Sequence, residues 1–179
     1  MKRTSRTGIQ WGFTLVELTV TVLILAVITA LGAPSLSRAL ARHRQSAAVQ
    51  SLFSSFQFAR IEAISRQRAV TICPIATESD HCGEDYAAGW KVYVGSGSDA
   101  VGSDRVIRRF ASLEEGMEVL NRAGTNVAGQ PVTWYPDGTA RPNLTLQVCT
   151  SRIGPLEPMG LVLNGIGRAR VARNEGDCP

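Results

Sequence analysis

Polar and apolar positions divide this chain into three stretches with different periods. From Phe13 to Ala33, 21 residues carry a single charge, Glu17, among apolar and small side chains. As a helix this run is about 31 Å long, the thickness of a bilayer core. From Ser35 to Cys73 there is neither Gly nor Pro, and Val49, Leu52, Phe53, Phe56, Ala59 and Ala63 recur at helical spacing. That pattern predicts an amphipathic helix over 35–68, continuing the first with a bend at Pro34 and turning its apolar stripe toward a sheet. From Ala69 onward the period shortens. Strands are expected at 69–76, 89–95, 105–111, 117–120, 131–141, 145–151, 160–163 and 167–172. Tight turns are expected at Pro136-Asp137-Gly138 and at Asn164-Gly165. One long helix followed by short strands predicts an α+β fold, with an antiparallel sheet packed on one face of the helix.

Charge changes the picture only locally. The formal net charge is +4, but Lys2, Arg3 and Arg6 precede the apolar run, and the remaining chain is nearly balanced. Residues 35–72 carry six arginines against Glu62 alone, and residues 73–104 carry Lys91 against six acids. Basic residues ahead of the apolar run keep the N-terminus cytoplasmic and send the rest across the membrane. The cluster Arg42-His43-Arg44 reads as a solvated helix face or a juxtamembrane anchor rather than a ligand contact. A signal peptide cut near Ala30 or Gly32 fits less well, because the helical pattern runs on past that point.

Glu17 is the costly residue, since a carboxylate in lipid needs a partner. The order of a basic leader, Gly12, "FTLVE" and a spanning run resembles the prepilin signature of type IV pilins and type II secretion pseudopilins. The resemblance implies that a prepilin peptidase cuts between Gly12 and Phe13 and methylates the new amino terminus of Phe13. Residues 1–12 are then a leader, 13–34 a transmembrane helix, 35–68 the amphipathic helix and 69–179 a periplasmic β-rich domain. Phe13 and Glu17 lie four apart on one helix face. As the resemblance implies, Glu17 pairs with the Phe13 ammonium of a neighbouring subunit as it docks into a filament.

A second tier of resemblance lies further on. "FQFARIEAISRQRAVTICP", "GWKVYV", "VTWYPDGTAR" and "GRARV" before a terminal Cys are similar to the pseudopilin-H/FimT family of minor pilins. This implies a pilin-like fold, a two-sheet antiparallel β-structure on the helix. It also implies a single-pass inner-membrane protein whose partners are other pilins or pseudopilins. The segment "GSGSDAVGSD" at 95–104 departs from that family and reads as a turn without ion binding.

Four cysteines in a translocated domain predict disulfides, with three pairings open. The favoured one closes a local loop with Cys73–Cys82 and ties the chain end to a strand with Cys149–Cys178. Asp80, His81 and Cys82 beside Cys73 do not match zinc spacings, so no metal is expected. No nucleophile elbow, phosphate loop or metalloprotease motif is present, and no enzyme activity or cofactor is expected.

The last expectation concerns DNA. "LVLNGIGRARVAR" reads as a hairpin whose second strand places Arg168 and Arg170 on one face, with Arg173 just beyond. "GRAR" resembles the GRxR motif of FimT DNA-binding pilins, which maps that role onto Gly167, Arg168 and Arg170. Gly165 and Gly167 would keep the edge bare enough for a phosphate backbone to approach. The alternative is that these arginines guard an edge strand or contact a neighbouring pilin.

Overall fold

The computed structural model describes residues 12–76, 81–97, 102, 105–150 and 156–179, without the side chains of 32–34. The expectations placed on residues 1–11, on Asp80 and on most of 95–104 lie outside the described residues, and Pro34, where a bend is expected, is described only as backbone within the long helix. The chain forms two compact units, Met1–Ala39 and Leu40–Pro179. One helix, α1 (Leu15–Arg66), contributes to both.

In the first unit α1 starts on a cap. Thr14 Oγ1 accepts the Glu17 N–H at 3.2 Å, which satisfies one of the free donors of the first turn. Glu17 sits in that turn, where the helix dipole favours an anion. From Phe13 to Leu31 every side chain is exposed. The hydroxyls of Thr19, Thr21 and Thr29 donate to carbonyls three or four residues earlier, so these three hydroxyls are satisfied within the helix. By length and composition the helix can cross a membrane.

The second unit is built on the rest of α1. Leu52, Phe56, Ala59 and Ala63 are fully buried, Val49 nearly so, and Phe53 packs against the same core. Each large apolar side chain so buried contributes roughly 1.5–3 kcal/mol. The helix ends without a glycine. Gln67 takes φ 52°, and the Arg68 N–H reaches the Ala63 carbonyl at 3.3 Å, closing the last turn.

Nine strands follow. They are β1 (Val70–Pro74), β2 (Trp90–Val94), β3 (Val106–Phe110), β4 (Met117–Leu120), β5 (Val132–Trp134), β6 (Ala140–Arg141), β7 (Leu144–Thr150), β8 (Met159–Leu163) and β9 (Ala169–Arg173). They form two antiparallel sheets, ordered β3-β2-β1-β5-β6 and β4-β7-β8-β9. The inner faces alternate as strands require: Val70 and Ile72, Trp90 and Val92, Leu146 and Val148, and Leu161 and Leu163 all enter the core. Phe56 meets Trp134 edge to face at 5.3 Å, and Trp90 stacks on Phe110 at 5.4 Å. The α+β architecture expected from the pattern is observed, and so are the two antiparallel sheets that the family resemblance implied.

The stretch expected as one strand at 131–141 is two strands, because a turn of the chain divides β5 from β6. Gly138 N–H donates to the Tyr135 carbonyl at 2.9 Å, and Asp137 Oδ1 accepts from the Thr139 N–H and hydroxyl. The β8–β9 turn repeats this design. Gly167 N–H donates to the Asn164 carbonyl at 2.9 Å, and Asn164 Oδ1 accepts the Arg168 N–H at 2.9 Å. Both turns close on a left-handed glycine, Gly138 at φ 80° and Gly167 at φ 74°. The two turns abut, since Ala140 N–H donates to the Gly165 carbonyl and Trp134 Nε1 to the Gly167 carbonyl. This contact joins one sheet to the other.

Candidate functional site

Three regions hold the residues singled out in the sequence, and the structure does not bring them into one site. The first is the start of α1. Gly12, Phe13 and Glu17 are all exposed, and nothing among the described residues hydrogen-bonds the Glu17 carboxylate. Glu17 is the one acid on an apolar cylinder, placed one helical turn from Phe13.

The second region is the pair of disulfides. Of the three possible pairings, the structure contains Cys73–Cys82 and Cys149–Cys178. The first closes the loop after β1. There the buried Lys91 donates to the His81 carbonyl at 3.0 Å, so this stretch is a structural tie. The second fixes the C-terminal tail to β7. Gln147 Nε2 donates to the Glu175 carbonyl, and the Asp177 N–H donates to the Arg122 carbonyl at 3.2 Å. The tail therefore lies across the outer face of the four-stranded sheet, and Gln147 beneath it is fully buried.

The third region is β9, the outermost strand of that sheet. Arg168, Arg170 and Arg173 are exposed, while Ala169 and Val171 pack on the core. Two expectations need correction here. Gly167 does not leave an open edge. It is buried, and a Cβ at that position would collide with the Gly138 carbonyl oxygen. Its role is to seat one turn on the other, which removes it as a phosphate contact. Arg170 is also not a free charge. Its two terminal nitrogens bind both oxygens of Glu175, at 2.8 and 2.6 Å. Those hydrogen bonds hold the Glu175 carboxyl below the usual carboxylate range. Among the described residues Arg168 and Arg173 make no side-chain hydrogen bond or ion pair.

Glu175 was not legible as a site residue, although an acid five positions after Arg170 was its signal. Gln45 was missed too. It is buried on α1 and donates to the Val148 and Glu157 carbonyls at 2.8 and 3.2 Å, holding the helix against the end of the sheet.

Elsewhere the arrangement offers little chemistry. Tyr86 is strongly perturbed, its phenol raised by burial and then by Tyr93. Its hydroxyl bonds the Ile72 and Gln130 carbonyls, so it is a core strut. A cleft of about 670 Å³ beside β7 is lined by Asn121, Arg122, Asn126, Gln130 and Asn143, and no carboxylate or histidine lines it. It holds no acid–base pair.

Comparison with known proteins bears on the whole domain. The family described as type II transport protein GspH matches residues 48–167. No curated protein sequence matches the chain. Among solved structures, the type IV minor pilin FimU of Pseudomonas aeruginosa superposes with a TM-score of 0.57 at 18% identity. That match covers 77% of this chain and 94% of FimU. The minor pseudopilin EpsH from the type 2 secretion system of Vibrio cholerae gives a TM-score of 0.51 at 15% identity, covering 73% of this chain and 97% of EpsH. At these identities the two structures speak for the fold.

Proposed function

The chain belongs to the family of the type II transport protein GspH, and on that premise we propose that it is a minor pilin or pseudopilin, a membrane-anchored subunit of a filament. The observation that carries this is α1 itself. Its first half exposes apolar side chains from Phe13 to Leu31 around the single acid Glu17. Its second half is the core helix of a two-sheet domain. The leader ends at Gly12, a prepilin peptidase exposes and methylates the amino group of Phe13, and residues 13–34 anchor the protein in the inner membrane. The rest of the chain, 35–68 on the helix and 69–179 in the β-rich domain, faces the periplasm. An ammonium on Phe13 of one subunit then satisfies Glu17 of the next. A carboxylate without a partner in lipid favours that docking over remaining alone.

The test is incorporation. The Glu17→Ala variant should insert and be cleaved to a mature start at Phe13, as read by mass spectrometry, yet be depleted from sheared filaments. Wild-type amounts in those filaments, or a mature terminus at Ala33, would sink the proposal.

A second reading adds DNA binding at the β9 edge. It is supported by the exposed, unengaged guanidiniums of Arg168 and Arg173 on an outermost strand. With Arg170 held by Glu175, two phosphates rather than three are neutralised. The log–log salt slope for duplex DNA is then about −1.8, with no sequence preference. Titration at two salt concentrations reads this. Binding unchanged in Arg168→Ala/Arg173→Ala removes DNA from the function and leaves a structural subunit.

A further inference from the structure

Arg173 does not stand on the surface alone. It shares a cavity of about 250 Å³ with Arg42 and Gln45 of α1, and with Glu157. The local fold explains why two distant arginines meet. Arg173 closes β9 opposite Met159, after which Asn174 takes φ 56° and donates its N–H to the Pro158 carbonyl at 2.9 Å. That turn stops the strand with Arg173 at its end. Gln45 pins α1 to the same place through the Val148 and Glu157 carbonyls. Arg42 lies three residues before Gln45, so it reaches the same rim. Arg44, the other arginine of this cluster, is taken by Glu114 at 3.0 Å. Arg42 is not, and among the described residues it makes no hydrogen bond or ion pair.

We propose that this cavity seats a phosphodiester between Arg42 and Arg173, which makes a helix residue part of the DNA contact. The inference rests on the DNA reading above. Charge selects the ligand. Two guanidiniums and the exposed Glu157 leave a net charge of about +1 at the cavity, which matches a singly charged phosphodiester. A dianionic monoester would be left partly uncompensated. Guanidinium forks suit phosphate oxygens geometrically as well. Arg168, just before β9, and Arg173, at its end, stand five residues apart, a span of about 17 Å. Arg42 extends the contact beyond the strand.

The experiment uses the full chain in nanodiscs of neutral phosphatidylcholine, titrated with duplex DNA of mixed sequence at two salt concentrations. Arg42→Ala is expected to bind about tenfold more weakly at the lower salt and to lose about 0.9 from the salt slope. Glu157→Gln is expected to bind several-fold more tightly, a gain that misfolding cannot mimic. Arg168→Ala, outside the cavity, serves as the comparator. If Arg168→Ala weakens binding but Arg42→Ala and Glu157→Gln match the wild type, the cavity proposal is overturned and the DNA reading stands. If the wild type binds no DNA at low salt, the DNA reading falls and the proposal with it. Arg42-dependent binding to phosphatidylglycerol vesicles, without any Arg42 effect on DNA, would overturn it in favour of a lipid headgroup.

Discussion

The carboxylate of Glu175 receives both terminal nitrogens of Arg170, at 2.8 and 2.6 Å. This pairing exists because the chain after β9 is not free to wander. The Glu175 carbonyl takes the Gln147 amide, the Asp177 N–H reaches Arg122, and Cys178 is bonded to Cys149. Gly176 lies so close to Gln147 and the Arg122 carbonyl that a Cβ would collide with both. The tail thus presents its acid to the middle arginine of the β9 edge and leaves the outer two exposed.

Removing that acid should increase polyanion binding. In Glu175→Gln the Arg170 guanidinium loses its compensating carboxylate, so the salt slope for duplex DNA should steepen by about 0.9. Affinity at low salt should rise with it. A variant indistinguishable from wild type would mean that Arg170 points no charge toward the ligand, paired or not.

The same pair sets a pH dependence whose sign follows from the depressed carboxyl. Hydrogen bonds from Arg170 lower the folded pKa of Glu175, so the pair is intact above the ordinary carboxylate range and is lost as pH falls through that lowered value. Between about pH 5 and pH 8 it stays closed, and its contribution to DNA binding should be flat. Glu175→Gln should match protonated wild type, so the two titrations converge only in acid. A crossover near neutral pH would contradict this.

How much of this was readable beforehand depends on what a local pattern can carry. The α1 stripe from Val49 to Ala63 and the strands announce themselves, because burial on one face imposes a period of 3.6 or 2. β5 and β6 ran together as one strand because Asp137 and Gly138 signal a turn without saying that both flanking pieces stay in the sheet. Gln45 is polar on a buried position, and only the carbonyls of Val148 and Glu157 show why it is tolerated there. Arg170 read as free because its partner lies beyond the strand, on a tail whose path is set by Cys149. Glu175 stands only five residues on, but the tertiary ties of the tail are what turn it back onto the strand.

The disulfide at the chain end should matter to the edge as well as to stability. Cys149–Cys178 closes a separation of 29 residues, for which a bridge contributes typically 2–4 kcal/mol. Cys149→Ala/Cys178→Ala should therefore unfold at a lower temperature. Amide exchange at 174–178 should rise before the β7 and β8 amides respond, since the tail loses its tether first. Unchanged exchange in the tail would show that Gln147 and Arg122 hold it without the bridge.

Gly167 distinguishes a packing role from a ligand contact. It takes φ 74°, which costs an alanine about 1–2 kcal/mol, and a Cβ would also strike the Gly138 carbonyl. The carbonyl belongs to the neighbouring turn, so relief requires the β5–β6 and β8–β9 turns to separate. That separation would strain the Trp134 Nε1 bond to the Gly167 carbonyl. Gly167→Ala should thus lose more than about 2 kcal/mol of stability. Gly165 is the control within the same turn. It does not adopt a positive φ, and its Cβ would meet only the Asn143 side chain, at 3.1 Å. Gly165→Ala should stay within about 1 kcal/mol of wild type. Thermal unfolding of the two variants side by side reads the difference. If Gly167→Ala melts like wild type but no longer binds DNA, the residue is a ligand contact after all, and the packing assignment fails.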